Sequence, residues 1–268
     1  MNLAWLTDIH LNFLELTQRQ HFYQEIMEKQ PDGILISGDI AEAPSVYAIL
    51  IEMQEAIRQP IYFVLGNHDY YTGQIGSVRQ KIIQLTTGVK HLHWLGHAGV
   101  IQLTAETVLV GQDGWADGRL GDYHHSSARL KDERMITDFF QQKCLSRDHL
   151  LSVMQKWADQ DAKQLQQDLE SAALRKAKRI IVITHVPPFK ENCLYEGKIS
   201  TDNYLPYFAS KAMGDVLLQF AQKYPTIDAT ILCGHTHSKS DFQVLGNLRV
   251  KSGQAEYGCP EVQEMIEV

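Results

Sequence analysis

The sequence predicts an α/β fold, and three observations support that expectation. Short apolar runs alternate with helical periodicities over most of the 268 residues. The runs are rich in β-branched and aromatic side chains and have the length of strands. Near the N-terminus they follow the order strand, helix, strand, helix, strand, which is the pattern of a parallel sheet because parallel strands need crossover connections.

Leu3 to Thr7 reads as the first strand, and residues 15 to 30 place Leu16, Phe22, Tyr23 and Ile26 at helical spacing. Gly33 to Ser37 is the next strand and Ser45 to Ile57 the next helix. Ile61 to Leu65, introduced by Pro60, is the third strand. A helix around Ile75 to Leu85 follows, then strand-like segments near His91 to Leu95, Val100 to Leu103 and Val108 to Gly111. Residues 119 to 178 are polar, rich in Gln, Lys and Asp, and are expected to hold two helices, roughly 126 to 142 and 147 to 176. Strands return at Ile180 to Thr184 and Ala229 to Cys233, with a helix from about Leu205 to Lys223 between them. Phe242 to Leu245, Asn247 to Lys251 and Val262 to Val268 have the short strands and glycine turns of an antiparallel meander. No repeat or linker interrupts the chain, so one domain over residues 1–268 is expected, with a helical insertion at about 119–178.

Composition narrows the function. With 44% hydrophobic and 21% charged residues the chain suits a globular protein able to bury a sizeable core. No stretch is long and apolar enough to span a membrane, and Met1 to Leu6, closely followed by Asp8, does not read as a signal peptide. A cytoplasmic location without a membrane partner is expected. Cys144, Cys193, Cys233 and Cys259 are far apart and form no CxxC pair, so thiols rather than disulfides or a zinc knuckle are expected. A net charge of -7 argues against a nucleic-acid polymer as partner. It leaves room for a small phosphate ester, because bound cations reverse the local field.

Five motifs lie just past strands, where open α/β sheets hold their ligands. They are Thr7-Asp8-Ile9-His10, Gly38-Asp39, Gly66-Asn67-His68-Asp69, Thr184-His185 and Gly234-His235-Thr236-His237. Singly, each has a plain structural reading: an Asp at a strand end caps or turns the chain, and a buried His is usually a hydrogen-bonded core residue. As a set they suggest metal ligation. Asp8 and His10 are one residue apart, as are His235 and His237, so an extended backbone would point each pair to one side. Glycines before Asp39, Asn67 and His235 permit tight turns and close approach. Imidazole and carboxylate donors suit zinc, iron or manganese better than calcium, and there are more donors than one tetrahedral ion needs. Two divalent or trivalent metal ions are expected.

The order D-x-H, G-D, G-N-H-D, H, G-H-x-H resembles the calcineurin-like metallophosphoesterase superfamily over Asp8 to His237. The resemblance implies a two-sheet β-sandwich flanked by helices, an αββα arrangement. It assigns Asp8, His10 and His237 to one metal, Asn67, His185 and His235 to the other, and Asp39 as a bridge holding the ions about 3.5–4 Å apart. His68 would be no ligand, but a proton donor or charge stabiliser beside the scissile phosphate. The implied reaction is hydrolysis of a small phosphodiester or phosphomonoester by in-line attack of a two-metal-activated hydroxide. Cyclic nucleotide phosphodiesterase is the leading specific version. Manganese, iron, zinc or nickel fits such donors.

Some residues depart from that pattern. Protein phosphatases of the superfamily usually carry an Asp-Arg pair after G-D and Glu after G-N-H, whereas here Gly38-Asp39 continues as Ile40-Ala41-Glu42-Ala43 and Asp69 follows His68. A phosphoprotein substrate is thereby disfavoured. Glu42 either pairs with catalytic His68 or is a helix-terminal carboxylate. His91, His93 and His97 are expected to be surface or turn residues, and Tyr123-His124-His125 either a substrate loop or a solvated one. Pro187-Pro188-Phe189 is expected to stiffen the backbone presenting His185. The rival from another class is a non-catalytic protein-binding scaffold on the same fold. A mononuclear zinc hydrolase or deaminase would need H-E-x-x-H, or H-x-E with P-C-x-x-C, and neither occurs.

Overall fold

The computed structural model describes residues 1–268. Its first half follows the expected alternation: β1 (Asn2–Leu6), α1 (Leu16–Glu28), β2 (Gly33–Ser37), α2 (Val46–Ile57), β3 (Ile61–Val64), α3 (Ile75–Gly88) and β4 (Leu92–Trp94). A four-residue helix, α4 (Leu95–Ala98), leads to β5 (Ile101–Gln102) and β6 (Thr107–Gly111). Then come α5 (Asp132–Met135), α6 (Thr137–Lys143), α7 (Arg147–Leu174) and β7 (Arg179–Ile183). A small hairpin, β8 (Leu194–Tyr195) and β9 (Lys198–Ile199), precedes α8 (Leu205–Phe208) and α9 (Lys211–Lys223). The chain closes with β10 (Asp228–Cys233), β11 (Ser240–Leu245), β12 (Leu248–Ser252) and β13 (Glu264–Glu267).

The strands form a five-stranded sheet in the order β13-β1-β2-β3-β4 and a six-stranded sheet in the order β11-β12-β10-β7-β6-β5. Inner pairs are parallel, and the antiparallel pairs lie at the edges. Alternate side chains explain the stacking. Leu3, Trp5, Leu35, Ile181, Ile183 and Leu232 form the seam between the sheets. Their neighbours Ala4, Leu6, Ile34 and Ile36 face the α1–α3 side, whereas Ile180, Val182 and Ile231 face α7 and α9. Both faces of each sheet are therefore covered, which is why the strands read as continuous apolar runs. The result is the αββα sandwich.

Several expected boundaries are corrected by tertiary contacts. The helix expected over 126 to 142 is replaced by an irregular stretch and two short helices, α5 and α6. Around their junction the backbone bonds elsewhere: Thr72 N donates to Met135 O at 2.6 Å and Thr137 N to Gly73 O at 3.0 Å. The helix expected over 205 to 223 breaks at extended Ala209, where Ser210 N donates to Pro187 O. Nor do the last strands form a meander. β11 and β12 are a hairpin, but β12 pairs in parallel with β10, and β13 crosses to the other sheet beside β1. Distant edges chose those partners, and a local pattern cannot encode that choice.

Candidate metal centre

All five motifs meet at the C-terminal ends of β1, β2, β3, β7 and β10. The connecting loops are tied by main-chain bonds: Asp8 N donates to Gly38 O at 3.0 Å, His10 N to Asp39 O at 3.0 Å and Gly234 N to His185 O at 2.9 Å. The expected extended backbone at the D-x-H and H-x-H pairs is not what makes them converge. Asp8, His10, Asp39, His235 and His237 all have positive φ, between 40° and 68°. Five of the seven candidate ligands thus occupy the left-handed region that side chains disfavour, a strain characteristic of functional sites.

The donors form two clusters that share Asp39. In one, the ligand atoms of Asp8, His10, Asp39 and His237 lie within 4.8 Å of one another. His237 Nε2 is 3.4 Å from Asp8 Oδ1, and His10 Nε2 is 3.7 Å from Asp39 Oδ2. In the other, Asn67 Oδ1 is 2.9 Å from both His185 Nε2 and His235 Nδ1. His185 Nε2 is 3.4 Å from Asp39 Oδ1. The two oxygens of Asp39 therefore face different clusters.

Two histidines are oriented from behind. His185 Nδ1 lies 2.9 Å from Ser37 O, and His235 Nε2 lies 2.9 Å from Tyr207 O. A ring nitrogen that donates to a carbonyl leaves the other nitrogen as a lone-pair donor, so Nε2 of His185 and Nδ1 of His235 face the centre. Close approach also requires glycine. A Cβ on Gly66 would stand 2.1 Å from Asp39 Oδ1, and one on Gly234 would stand 2.0 Å from Asp8 Oδ2.

The electrostatics suit cations. Burial lowers His10 to about 3 and His235 to about 4, and it also lowers His185. Neutral imidazole is the ligating form. Burial, then the charges of Asp8 and Asp69, raise Asp39 well above the carboxylate range. Burial also pushes Asp8 up, but the His237 hydrogen bond and the charges of His185, His237 and His10 jointly hold it low. His10 Nδ1 and His68 Nδ1 are buried without hydrogen-bond partners. A crowd of neutral nitrogens around two carboxylates and one amide oxygen fits a pair of metal ions, which would supply the positive charge that the protein does not.

His68 sits beside the clusters. Its backbone N donates to Asp39 Oδ1 at 2.9 Å, and its ring lies 4.6 Å from that of His10 and stacks on Tyr71 at 4.2 Å. Burial lowers it to about 2. The expected pairing with Glu42 is corrected: both residues line one cavity, yet no hydrogen bond joins them. Glu42 instead precedes the first turn of α2, where its carbonyl accepts the Ser45 and Val46 N–H groups. His93 stacks on Tyr62, and His124 and His125 are exposed beside Asp148 and Asp122, away from any cluster of donors.

Three supporting carboxylates have no sequence signature strong enough to reveal them. Asp69 accepts from Ile40 N, Ala41 N and Gly66 N, locking the two central loops together. Asp113 accepts from Leu65 N, Trp94 Nε1, Tyr70 Oη and Arg79, while its carbonyl accepts from His185 N at 2.8 Å. Asp132 of α5 accepts from Asn67 Nδ2 at 2.9 Å and from Tyr71 Oη at 2.6 Å. The G-N-H-D motif offered a hint of Asp69; nothing local pointed to Asp113 or Asp132.

Comparison with known proteins agrees with this geometry. The family model described as calcineurin-like phosphoesterase matches residues 1–239. Among solved structures, a phosphopantetheinyl hydrolase from Mycobacterium tuberculosis superposes with a TM-score of 0.63 at 12% identity, covering 96% of this chain and 89% of that one. A dimetal phosphatase from Danio rerio gives 0.60 at 10% identity, covering 95% and 87%. A protein from Thermus thermophilus gives 0.53 at 12% identity, covering 94% and 88%. At these identities the likeness is one of fold. No curated protein matches the sequence at a significant level.

Proposed function

Because the chain belongs to the calcineurin-like phosphoesterases, we propose that it is a metal-dependent hydrolase of small phosphodiesters or phosphomonoesters. The observation that carries this reading is the division of Asp39, with Oδ1 toward His185 and Oδ2 toward His10. Asp8, His10 and His237 would hold one ion, and Asn67, His185 and His235 the other. Two such ions supply Lewis acidity and water activation at neutral pH.

The protein's own groups do the positioning. Ser37 O and Tyr207 O fix the ring orientation of His185 and His235, and Asp132 turns the oxygen of Asn67 inward. Asp8 accepts His235 N at 3.0 Å, so the first and last motifs are held in one frame. His68 lines the cavity that opens beside the clusters, which supports a role for it at the leaving oxygen of an ester. The free ring is neutral, so proton donation there depends on the negative charge of a bound phosphate ester raising its pKa.

The test is hydrolysis of bis-p-nitrophenyl phosphate and p-nitrophenyl phosphate by metal-stripped protein, with and without added Mn²⁺. Metal-restored turnover is expected, and preference for the diester would assign phosphodiesters. No turnover of either ester by protein shown to hold two ions per chain would overturn the proposal in favour of a scaffold.

A further inference from the structure

We propose that the cavity beside His68 selects phosphate esters whose leaving group carries a second anionic group, bound by Lys131 and Arg134. This rests on the phosphoesterase reading, since His68 marks the leaving-group side only if the ester lies across the two clusters.

The cavity has a volume of about 350 Å³, and its walls include Phe13, Glu42, His68, Arg129, Lys131 and Arg134. Three cations and one carboxylate face it, in a chain that has 32 acidic against 25 basic side chains. Nine of the 25 basic side chains, Arg19, Arg79, Arg119, Lys143 and Arg249 among them, pair with a carboxylate. Lys131 and Arg134 pair with none, and neither donates a side-chain hydrogen bond. Arg129 differs from them, since its Nη1 donates to the carbonyls of Ser126 and Ala128. Two exposed cations are thus held on the short α5 segment with nothing in the protein to satisfy them. That segment is anchored at the site, because Asp132 lies between them and bonds Asn67. Lys131 and Arg134 are consequently placed by the same residue that orients a candidate ligand.

The chemistry points to an oxyanion. A guanidinium and an ammonium bind phosphate or carboxylate through charge-assisted hydrogen bonds. A neutral leaving group would leave both cations solvated and gain little from them. Phe13 offers an apolar wall for a short carbon spacer between the two anionic ends.

Binding separates this proposal from the one it rests on. Mn²⁺-loaded protein is titrated calorimetrically with 3-phosphonopropionate and its neutral isostere 3-phosphonopropanamide, and with the four-carbon pair. The acid is expected to bind at least about tenfold tighter than the amide in one of the pairs, the gain of one or two charge-assisted bonds. In Lys131→Gln/Arg134→Gln the preference should fall to within about twofold, with amide affinity unchanged. Thermal melting of the variant serves as the folding control, both side chains being exposed. Equal binding of acid and amide, or a preference that survives in the double variant, would overturn the pocket alone. Binding of neither phosphonate would overturn the phosphoesterase reading and the pocket with it.

Discussion

Asp132 holds Asn67 from behind: it accepts Asn67 Nδ2 at 2.9 Å, while Asn67 Oδ1 lies 2.9 Å from His185 Nε2 and from His235 Nδ1. An amide can present either end, and this bond decides that the oxygen faces the cluster. Asp132→Leu should therefore weaken one of two metal ions about 10- to 100-fold and spare the other. Titration of metal content against a chelator would show one site lost. Two sites of unchanged affinity would refute the positioning role.

Gly66 and Gly234 have no room for a side chain, because a Cβ at either would overlap the oxygen of Asp39 or Asp8. Gly66→Ala should displace Asp39, the residue both clusters share, and abolish binding of both ions. Gly234→Ala should act through Asp8 on one cluster. Both variants are expected to lose at least about 100-fold in metal-restored hydrolysis, as misplacement of about 1 Å does. Full metal content with ordinary turnover in either variant would contradict the steric argument.

His68→Ala should retain its metals, since the ring lies outside both donor clusters. It should lose far more activity on alkyl esters than on esters of acidic phenols, whose oxygens leave without a proton. Equal losses on the two would mean that His68 stabilises charge rather than donating a proton.

The depressed titration of His68 has a sign that can be measured. Folded, it titrates at about 2 rather than 6.5, so the unfolded chain binds the extra proton. Its contribution to stability is fully present above 6.5 and is lost as pH falls toward the folded value. Asp39 and Asp69 are raised by burial and act in the opposite sense, so a whole-protein profile mixes the two signs. The difference between metal-free wild type and His68→Gln isolates the histidine. Between pH 7.5 and pH 5 that difference should shift against the wild type, by up to about 2 kcal/mol. Urea unfolding at the two pH values checks it, and a pH-independent gap would be the contrary result.

Arg79 joins α3 to the rest of the fold by pairing with Asp113 at 2.9 Å and with Asp161 of α7 at 2.8 Å. Both carboxylates are buried. Arg79→Met leaves them without a counter-charge and should destabilise the protein by about 3–5 kcal/mol. Because Asp113 also carries the backbone bond to His185, metal affinity should fall as well. A loss below about 1 kcal/mol in denaturant unfolding would show that the pair is dispensable.

Much of this protein was legible in the sequence, because its strands are local. β2 and β3 lie almost where the apolar runs of Gly33–Ser37 and Ile61–Leu65 put them. The motif residues were legible for a related reason: each follows a strand, so a parallel sheet brings them to one edge whatever the remaining contacts are. What only the tertiary structure decided is non-local. It chose the partner of β13, broke the chain at Ala209, and put left-handed turns where an extended D-x-H was expected. It also brought Asp132 and Asp113 to the centre from 65 residues beyond Asn67 and 48 beyond Leu65. A buried hydrogen bond is set by which polar groups are left unpaired once the layers pack, and no local periodicity records that.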